Sequence, residues 1–316
     1  MSYLPCELHC HTVHSDGSFQ VSELLKAAKE DHLSLIALTD HNTFSGRDEL
    51  DDNIVPAIRG IEWTTYFGHM LVLGAKDFVD WRDAKPDNID KKINEARSAG
   101  GIVGIAHPFQ IGSPVCTGGR WEFNVKNWKN VDYMEIWHED LFGCRGENIK
   151  SPELWTSLLD KGFRIAAAYG RDWHRLEKRG HYGCTYVDIE GEITPESALR
   201  GIRMGKTVVS TGAKFFFTLH KGSKSYSIGD TVKNGSYVFS FFTDLHSRQK
   251  DAGNETVVYK KIKIISNGGK TALETKYDER YAKLRLERSH WYRAELWGTV
   301  DGKQMPLAIT SPVYCE

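Results

Sequence analysis

No apolar run in this 316-residue chain approaches the roughly 18 residues that a membrane span requires. The opening Met1-Ser2-Tyr3-Leu4-Pro5 shows no basic stretch followed by an apolar one, so a secretory signal is not expected. Charge of either sign is not in excess. The formal net charge is -1, which offers neither a clear nucleic-acid surface nor a membrane-binding patch. Cysteine is sparse: Cys6, Cys10, Cys116, Cys144, Cys184 and Cys315 are scattered, with no CxxC pair. That usage reads as reduced thiols in a cytoplasmic protein. No Gly-x-Ser-x-Gly elbow is present, so a serine nucleophile of that kind is not indicated. Repeats and low-complexity segments are also missing. What remains is an ordinary globular composition, 40% hydrophobic, long enough for one large or two unequal domains.

The first 210 residues alternate buried strands with amphipathic helices. Glu7 to His11 reads as a strand, and Val21, Leu24, Leu25 and Ala28 have helical spacing with Ser18 as an upstream cap. Leu33–Leu38, Ile54–Ile61, Ile102–Ala106, Val131–Trp137 and Arg164–Ala168 read as further strands. His69–Gly74 reads as a hairpin-like return. Helices are expected over Ile89–Ala99, Pro152–Lys161 and Pro195–Met204, the last capped by Thr194 with Pro at its first position. Such alternation predicts parallel β/α units. Beyond Ser210-Thr211-Gly212 helical periodicity disappears. Lys214–Leu219, Ser236–Leu245, Val257–Ser266, Lys283–Trp297 and Pro306–Tyr314 read as strands, separated by the turn signals Asn234-Gly235, Asn267-Gly268 and Asp301-Gly302. Residues 1–210 are therefore expected to form an α/β domain, and 211–316 a small all-β, sandwich-like domain. His220, His246 and His290 lie in that second part with no motif around them. Gly112–Gly119 reads as a loop over the mouth.

Histidines and acids recur where the strands end. His9 and His11 alternate onto one strand face, followed by Asp16 in a Gly-turned loop. Thr39-Asp40-His41, Glu62, His69, His107-Pro108, Glu135, His138 and Asp172-x-His174 follow. In a β/α barrel the carboxyl ends of the strands carry the active site. Imidazole and carboxylate together suit Zn, Mn or Fe and select weakly among them. Cys10, between the two histidines, is expected to face away and pack.

His9-x-His11, Ser15-Asp16-Gly17, Thr39-Asp40-His41, Glu62, Ala106-His107-Pro108 and Asp172-x-His174 together resemble the PHP family, named for polymerase and histidinol phosphatase. Gly60-x-Glu62, Gly68-His69, Leu73-Gly74 and the terminal Ala308–Tyr314 stretch resemble its carbaryl-hydrolase-like branch, whose members carry a C-terminal β-domain. The resemblance implies a distorted seven-stranded β/α barrel with two or three divalent transition metals. Carried over, the first metal would take His9, His11, Glu62 and Asp172. The second would share Glu62 and add His69 and His107, and the third would take Asp16, His41 and His174. Metals of this kind supply hydroxide at neutral pH and neutralise phosphate oxygens. The implied activity is hydrolysis of a small-molecule phosphate mono- or diester. Alternatives are a carboxylic or carbamate ester hydrolase on the same metals, an amidohydrolase-type barrel, and a catalytically silent binding module.

Further residues have more than one reading. Arg171 stands where relatives carry Ser and either grips a phosphate or pairs with an acid. Arg120 is a second candidate for positive charge at the mouth. His14 and His138 are candidates for general acid or phosphate contact. Asp40 and Glu135 are expected to orient imidazoles. Trp63, Trp137 and Trp173 wall the site or fill the core.

Overall fold

The protein is described from a computed structural model covering residues 2–112, 118–141, 146–177, 182–245, 247 and 257–316. Cys116, Cys144, His246 and most of the loop expected over 112–119 lie outside the described residues.

The first two-thirds contains β1 (Tyr3–Cys10), α1 (Val21–Glu30), β2 (Leu35–Leu38), β3 (Ala57–Thr65), β4 (Gly68–Leu73), α2 (Ile89–Ser98), β5 (Ile102–Ile105), β6 (Tyr133–His138), α3 (Glu147–Asp160), β7 (Ala166–Gly170), β8 (Cys184–Asp188), α4 (Pro195–Arg203) and β9 (Thr207–Ser210). The remainder contains β10 (Lys214–Lys221), β11 (Lys224–Ser227), β12 (Thr231–Val232), β13 (Gly235–Asp244), β14 (Val257–Ser266), β15 (Lys270–Lys276), β16 (Tyr281–Leu286), β17 (His290–Val300), β18 (Lys303–Thr310) and β19 (Val313–Cys315). The molecule is thus mixed α/β, with one large sheet, a second four-stranded sheet and few helices. Among the described residues, no helix is long and apolar enough to cross a membrane.

The helices follow their apolar spacing. Val21, Leu24, Leu25 and Ala28 form the buried face of α1. Its start differs from expectation. Gln20 precedes the helix and its backbone N–H donates to Glu23 Oε2 at 2.9 Å, while the Ser18 N–H donates to the His174 carbonyl. Thr194 caps α4 as expected, accepting from the Ser197 N–H at 3.2 Å. α3 begins earlier than its Pro152, which sits within its first turns.

The large sheet runs β8-β1-β2-β3-β4-β5-β6-β7 through the first part. β1, β2 and β3 are parallel, and so are β5, β6 and β7. β4 runs antiparallel to β3 and β5, and β8 antiparallel to β1. Plain β/α alternation is therefore broken at β4 by the expected hairpin, and at β8 and β9 by two strands that sequence reading missed. The sheet curls until its far edge returns. Cys10 bridges to Trp173, and β7 meets β8 and β9 through side-chain hydroxyls. The Tyr169 N–H donates to Thr185 Oγ1, Ala167 N–H to Ser311 Oγ, and Thr207 Oγ1 to the Ala167 carbonyl, at 2.7–2.8 Å.

The second part joins the first by continuous pairing: β9 pairs with β18 through Ser210↔Ala308 and Thr310↔Val208. Opposite it lies the sheet β11-β10-β13-β16. Phe215, Phe217, Leu219, Phe239 and Phe241 from that sheet share a buried cluster with Ile262, Ile264, Ala294 and Leu296 from β14 and β17. Two expected strands each break in two, at residues 287–289 and 311–312. Asp301 and Gly302 both take positive φ, 48° and 79°, as a tight hairpin with right-handed twist demands.

Candidate metal centre

β1 delivers His9 and His11 to the concave side of the curled sheet. The β1–β2 register slips between Glu7 and Cys10, an interval that contains His9, and His11 follows just past the strand's end. Cys10 faces the opposite way and packs with Val21, Leu24 and Trp173. Asp16 reaches the pocket because the loop folds back at Gly17, where a Cβ would lie 2.5 Å from the His11 carbonyl group. Only glycine permits that approach.

Glu62, in the middle of β3, is fully buried. Its Oε1 lies 2.9 Å from His69 Nδ1 and 3.2 Å from His107 Nε2. Its Oε2 lies 2.7 Å from His41 Nδ1, 3.3 Å from His9 Nε2 and 3.5 Å from His11 Nε2. Asp172 Oδ1 is 3.0 Å from His11 Nε2, 3.3 Å from His9 Nε2 and 3.5 Å from His174 Nδ1. Asp16 Oδ1 is 3.2 Å from His174 Nε2 and 3.4 Å from His41 Nε2. His107 and Asp172 hold positive φ, 21° and 52°, a strained backbone for non-glycine residues that rigid surroundings must maintain.

Ligand atoms drawn from His9, His11, Glu62 and Asp172 lie within 4.8 Å of one another; so do those of Glu62, His69 and His107, and those of His11, Asp16, His41 and His174. His9, His107 and Glu135 form a further group. Glu135, however, is spent on hydrogen bonds. Its Oε1 faces His9 Nδ1 at 2.9 Å and its Oε2 accepts the His107 N–H at 2.8 Å. It orients His9, as expected. Its room comes from Gly170, where a Cβ would sit 2.0 Å from Glu135 Oε1.

Buried polar groups normally find partners. Yet His9 Nε2, both nitrogens of His11, His69 Nε2, His107 Nδ1, Glu62 Oε2 and Asp172 Oδ1 are buried and make no well-aligned hydrogen bond among the described residues, although His9 Nε2 and His11 Nε2 lie within 3.5 Å of both Glu62 Oε2 and Asp172 Oδ1. The residues that carry these atoms all belong to the groups just described. An imidazole–carboxylate donor set with orphaned atoms fits divalent cations such as Zn, Mn or Fe.

The electrostatics reflect the crowding. Burial opposes charge on His9, but Glu135, Glu62 and Asp172 override it and raise the ring's pKa well above the usual value. Burial likewise opposes the charges of Glu62 and Asp172, yet the histidines around them hold both carboxyls well below their usual range. Burial dominates at His11, pushed down to about 4. At His41 burial is outweighed by Glu62 and Asp16, and the pKa rises to about 10.

Three expected roles fare differently. Arg171 does not reach the cluster with its guanidinium. Nη1 pairs with Asp31 and Nη2 with Glu177, both at 3.0 Å, and the group stacks 3.9 Å from the Trp173 ring centre. Of its two readings the acid pair is the one realised. His14 is engaged at both nitrogens, by Ser45 Oγ at 2.9 Å and Glu49 Oε1 at 2.8 Å. Asp40 does not orient an imidazole. It accepts from Thr12 N–H, Thr12 Oγ1 and Ser15 Oγ, and so fixes the loop that carries Asp16. His138 lies at the cluster's edge, its ring centre 5.8 Å from that of His107. Trp63, Trp137 and Trp173 are buried in the packing clusters. Sequence reading missed Thr64, hydrogen-bonded to His41 Nδ1. It also missed Asn148, whose amide brackets the backbone of His138. The alternation of β3, with Thr64 two residues after Glu62, was the one available signal for the former.

The curled sheet and its buried imidazole–carboxylate pocket suit a protein that holds divalent metal. Residues 7–105 match the PHP domain. It is 29% identical over 165 residues to an uncharacterised protein of Methanocaldococcus jannaschii, covering 52% of this chain and 72% of that one. A second uncharacterised protein of the same organism is 27% identical over 153 residues, covering 43% of this chain and 85% of the other. In fold, the chain resembles a two-domain protein of Bacteroides vulgatus described as containing a predicted PHP-like metal-dependent phosphoesterase. That match covers 98% of this chain and 95% of the other, with a TM-score of 0.52 and 18% identity.

Proposed function

We propose that the protein is a metal-dependent hydrolase of phosphate mono- or diesters, with nine ligands: His9, His11, Asp16, His41, Glu62, His69, His107, Asp172 and His174. The observation that carries this reading is the set of buried, orphaned imidazole nitrogens and carboxylate oxygens converging on Glu62. Divalent cations bound there would lower the pKa of a water and neutralise the charge of phosphoryl oxygens. The chain's own contribution is rigidity. Glu135 fixes the His9 tautomer, Asp40 pins the Asp16 loop, and Glu62 faces two groups at once and lowers the repulsion between their cations. We read the curled sheet as a distorted seven-stranded barrel, the second part as a sandwich, the branch as carbaryl-hydrolase-like, and the setting as cytoplasmic with a small-molecule substrate.

A carboxylic or carbamate ester hydrolase on the same ligands is the second reading. It is favoured by the engagement of Arg171 with Asp31 and Glu177, which removes one cation from the service of a phosphate. The metal-loaded protein, assayed on p-nitrophenyl phosphate, bis-p-nitrophenyl phosphate and p-nitrophenyl acetate, tests both. Metal-dependent turnover of either phosphate ester above the acetate supports the first reading. Turnover of the acetate alone overturns it in favour of the second.

A further inference from the structure

One imidazole in the pocket has no part in the proposed ligand sets. His138 ends β6 and is 1% exposed. Glu135 and His138 are three residues apart, so on an unbroken strand they would face opposite sides of the sheet. They do not, because the β6–β7 register slips between Glu135 and Trp137: Glu135 pairs with Ala168 and Trp137 already with Tyr169. The extra residue turns His138 back to the side of Glu135, toward His107. A bulge that re-aims one side chain beside a site is a recurrent functional device. The position is held from the other side too. Asn148, in the first turn of α3, accepts from the His138 N–H at 2.8 Å and donates to its carbonyl at 3.1 Å.

Both ring nitrogens of His138 are buried without a hydrogen-bond partner among the described residues. Nor does it belong to any of the side-chain groups close enough to share an ion. Its ring centre stands 5.8 Å from that of His107, which places it beside the candidate metal ligands. A buried imidazole placed by two independent devices, with no partner among the described residues, is poised to meet one from solution.

We propose that His138 is a substrate-contacting residue, whose ring N–H donates a hydrogen bond to an oxygen of the ester group at the metal centre. The proposal rests on the metal-dependent hydrolase reading above. The chemistry it selects is an oxyanion with more oxygens than the cations engage, as a phosphoryl group has.

The test uses the full chain with His138→Ala and His138→Gln. Metal content is counted by plasma mass spectrometry, and binding of inorganic phosphate to the metal-loaded proteins is followed by titration calorimetry. Both variants should keep the wild-type metal count. His138→Ala should bind phosphate at least ten-fold more weakly, and His138→Gln, which keeps a donor at similar reach, should recover part of that loss. Should His138→Ala fail to fold, His138→Gln and His138→Phe carry the same comparison. Loss of metal from folded His138→Gln would make the residue a ligand and overturn the proposal. Unchanged phosphate affinity in His138→Ala or His138→Phe would overturn it while leaving the hydrolase reading intact. A wild-type protein that takes up metal but binds neither phosphate nor acetate would overturn both.

Discussion

At Glu62, five imidazoles, those of His9, His11, His41, His69 and His107, come within 3.5 Å of one carboxylate. Asp16, by contrast, faces only His41 and His174 within that reach. If these contacts mark the ligand sets, Glu62→Ala should empty two metal positions together and Asp16→Ala only one. A metal count on the purified variants checks this, and equal losses would refute the partition. The titrating groups make a second prediction, for the chelated protein. Burial pushes the Glu7 carboxyl up to about 8 from 4.5, and Glu62 and Asp16 outweigh burial to raise His41 to about 10 from 6.5. Both groups bind protons more tightly when folded. Their stabilisation is complete below the unfolded values and is lost as pH rises through the folded ones. The chelated protein should therefore melt at lower temperature at pH 9 than at pH 6. Metal reverses the trend at the same sites, because imidazoles must shed protons to coordinate. Thermal melts with and without chelator at the two pH values decide it. The candidate ligands were legible in sequence because most sit in short motifs, His9-x-His11, Asp16-Gly17, Asp40-His41, Gly68-His69, His107-Pro108 and Asp172-x-His174. The partners of Arg171 and Asp40 were not: Asp31 lies 140 residues from Arg171, and no local pattern selects it over other acids.

The elements matter here mainly through their interruptions. β1 slips register across His9 and β6 just before His138, and an added residue in a ladder leaves no composition signature. β7, which feeds Asp172 and His174 into the pocket, is not laddered to β9. Ser311 Oγ accepts the Ala167 N–H and donates to Thr207 Oγ1, which in turn donates to the Ala167 carbonyl. Ser311→Ala would leave a buried N–H unpaired, which costs about 1–3 kcal/mol. A lower melting temperature is expected, with weaker metal retention at Asp172. Ser311→Thr, which keeps the hydroxyl, should lose less. Unchanged melting in Ser311→Ala would show that the seam holds by packing alone.

Across the whole molecule, the two parts share both a sheet and a core. β9 pairs with β18, and one buried cluster contains Tyr3, Val21 and Val208 together with Phe215, Phe239 and Leu296. We retain 210/211 as the point where the chain changes character, and expect the break not to be a break in folding. A fragment of residues 1–210 would lose Ser311, the β18 partner of β9 and the apolar cover of Tyr3. It should be insoluble or unfolded and take up no metal. A soluble, cooperatively melting fragment with the full metal count would show instead an independent domain. The amino-acid sequence by itself determined which segments are helical, which strands are apolar and which residue types stand at their ends, because those follow from local spacing and short-range chemistry. Only the tertiary structure decided that the sheet curls back on itself, that the second part closes its seam, and that His138 turns inward. Those outcomes depend on register and on contacts between residues more than a hundred positions apart, which local periodicity does not encode.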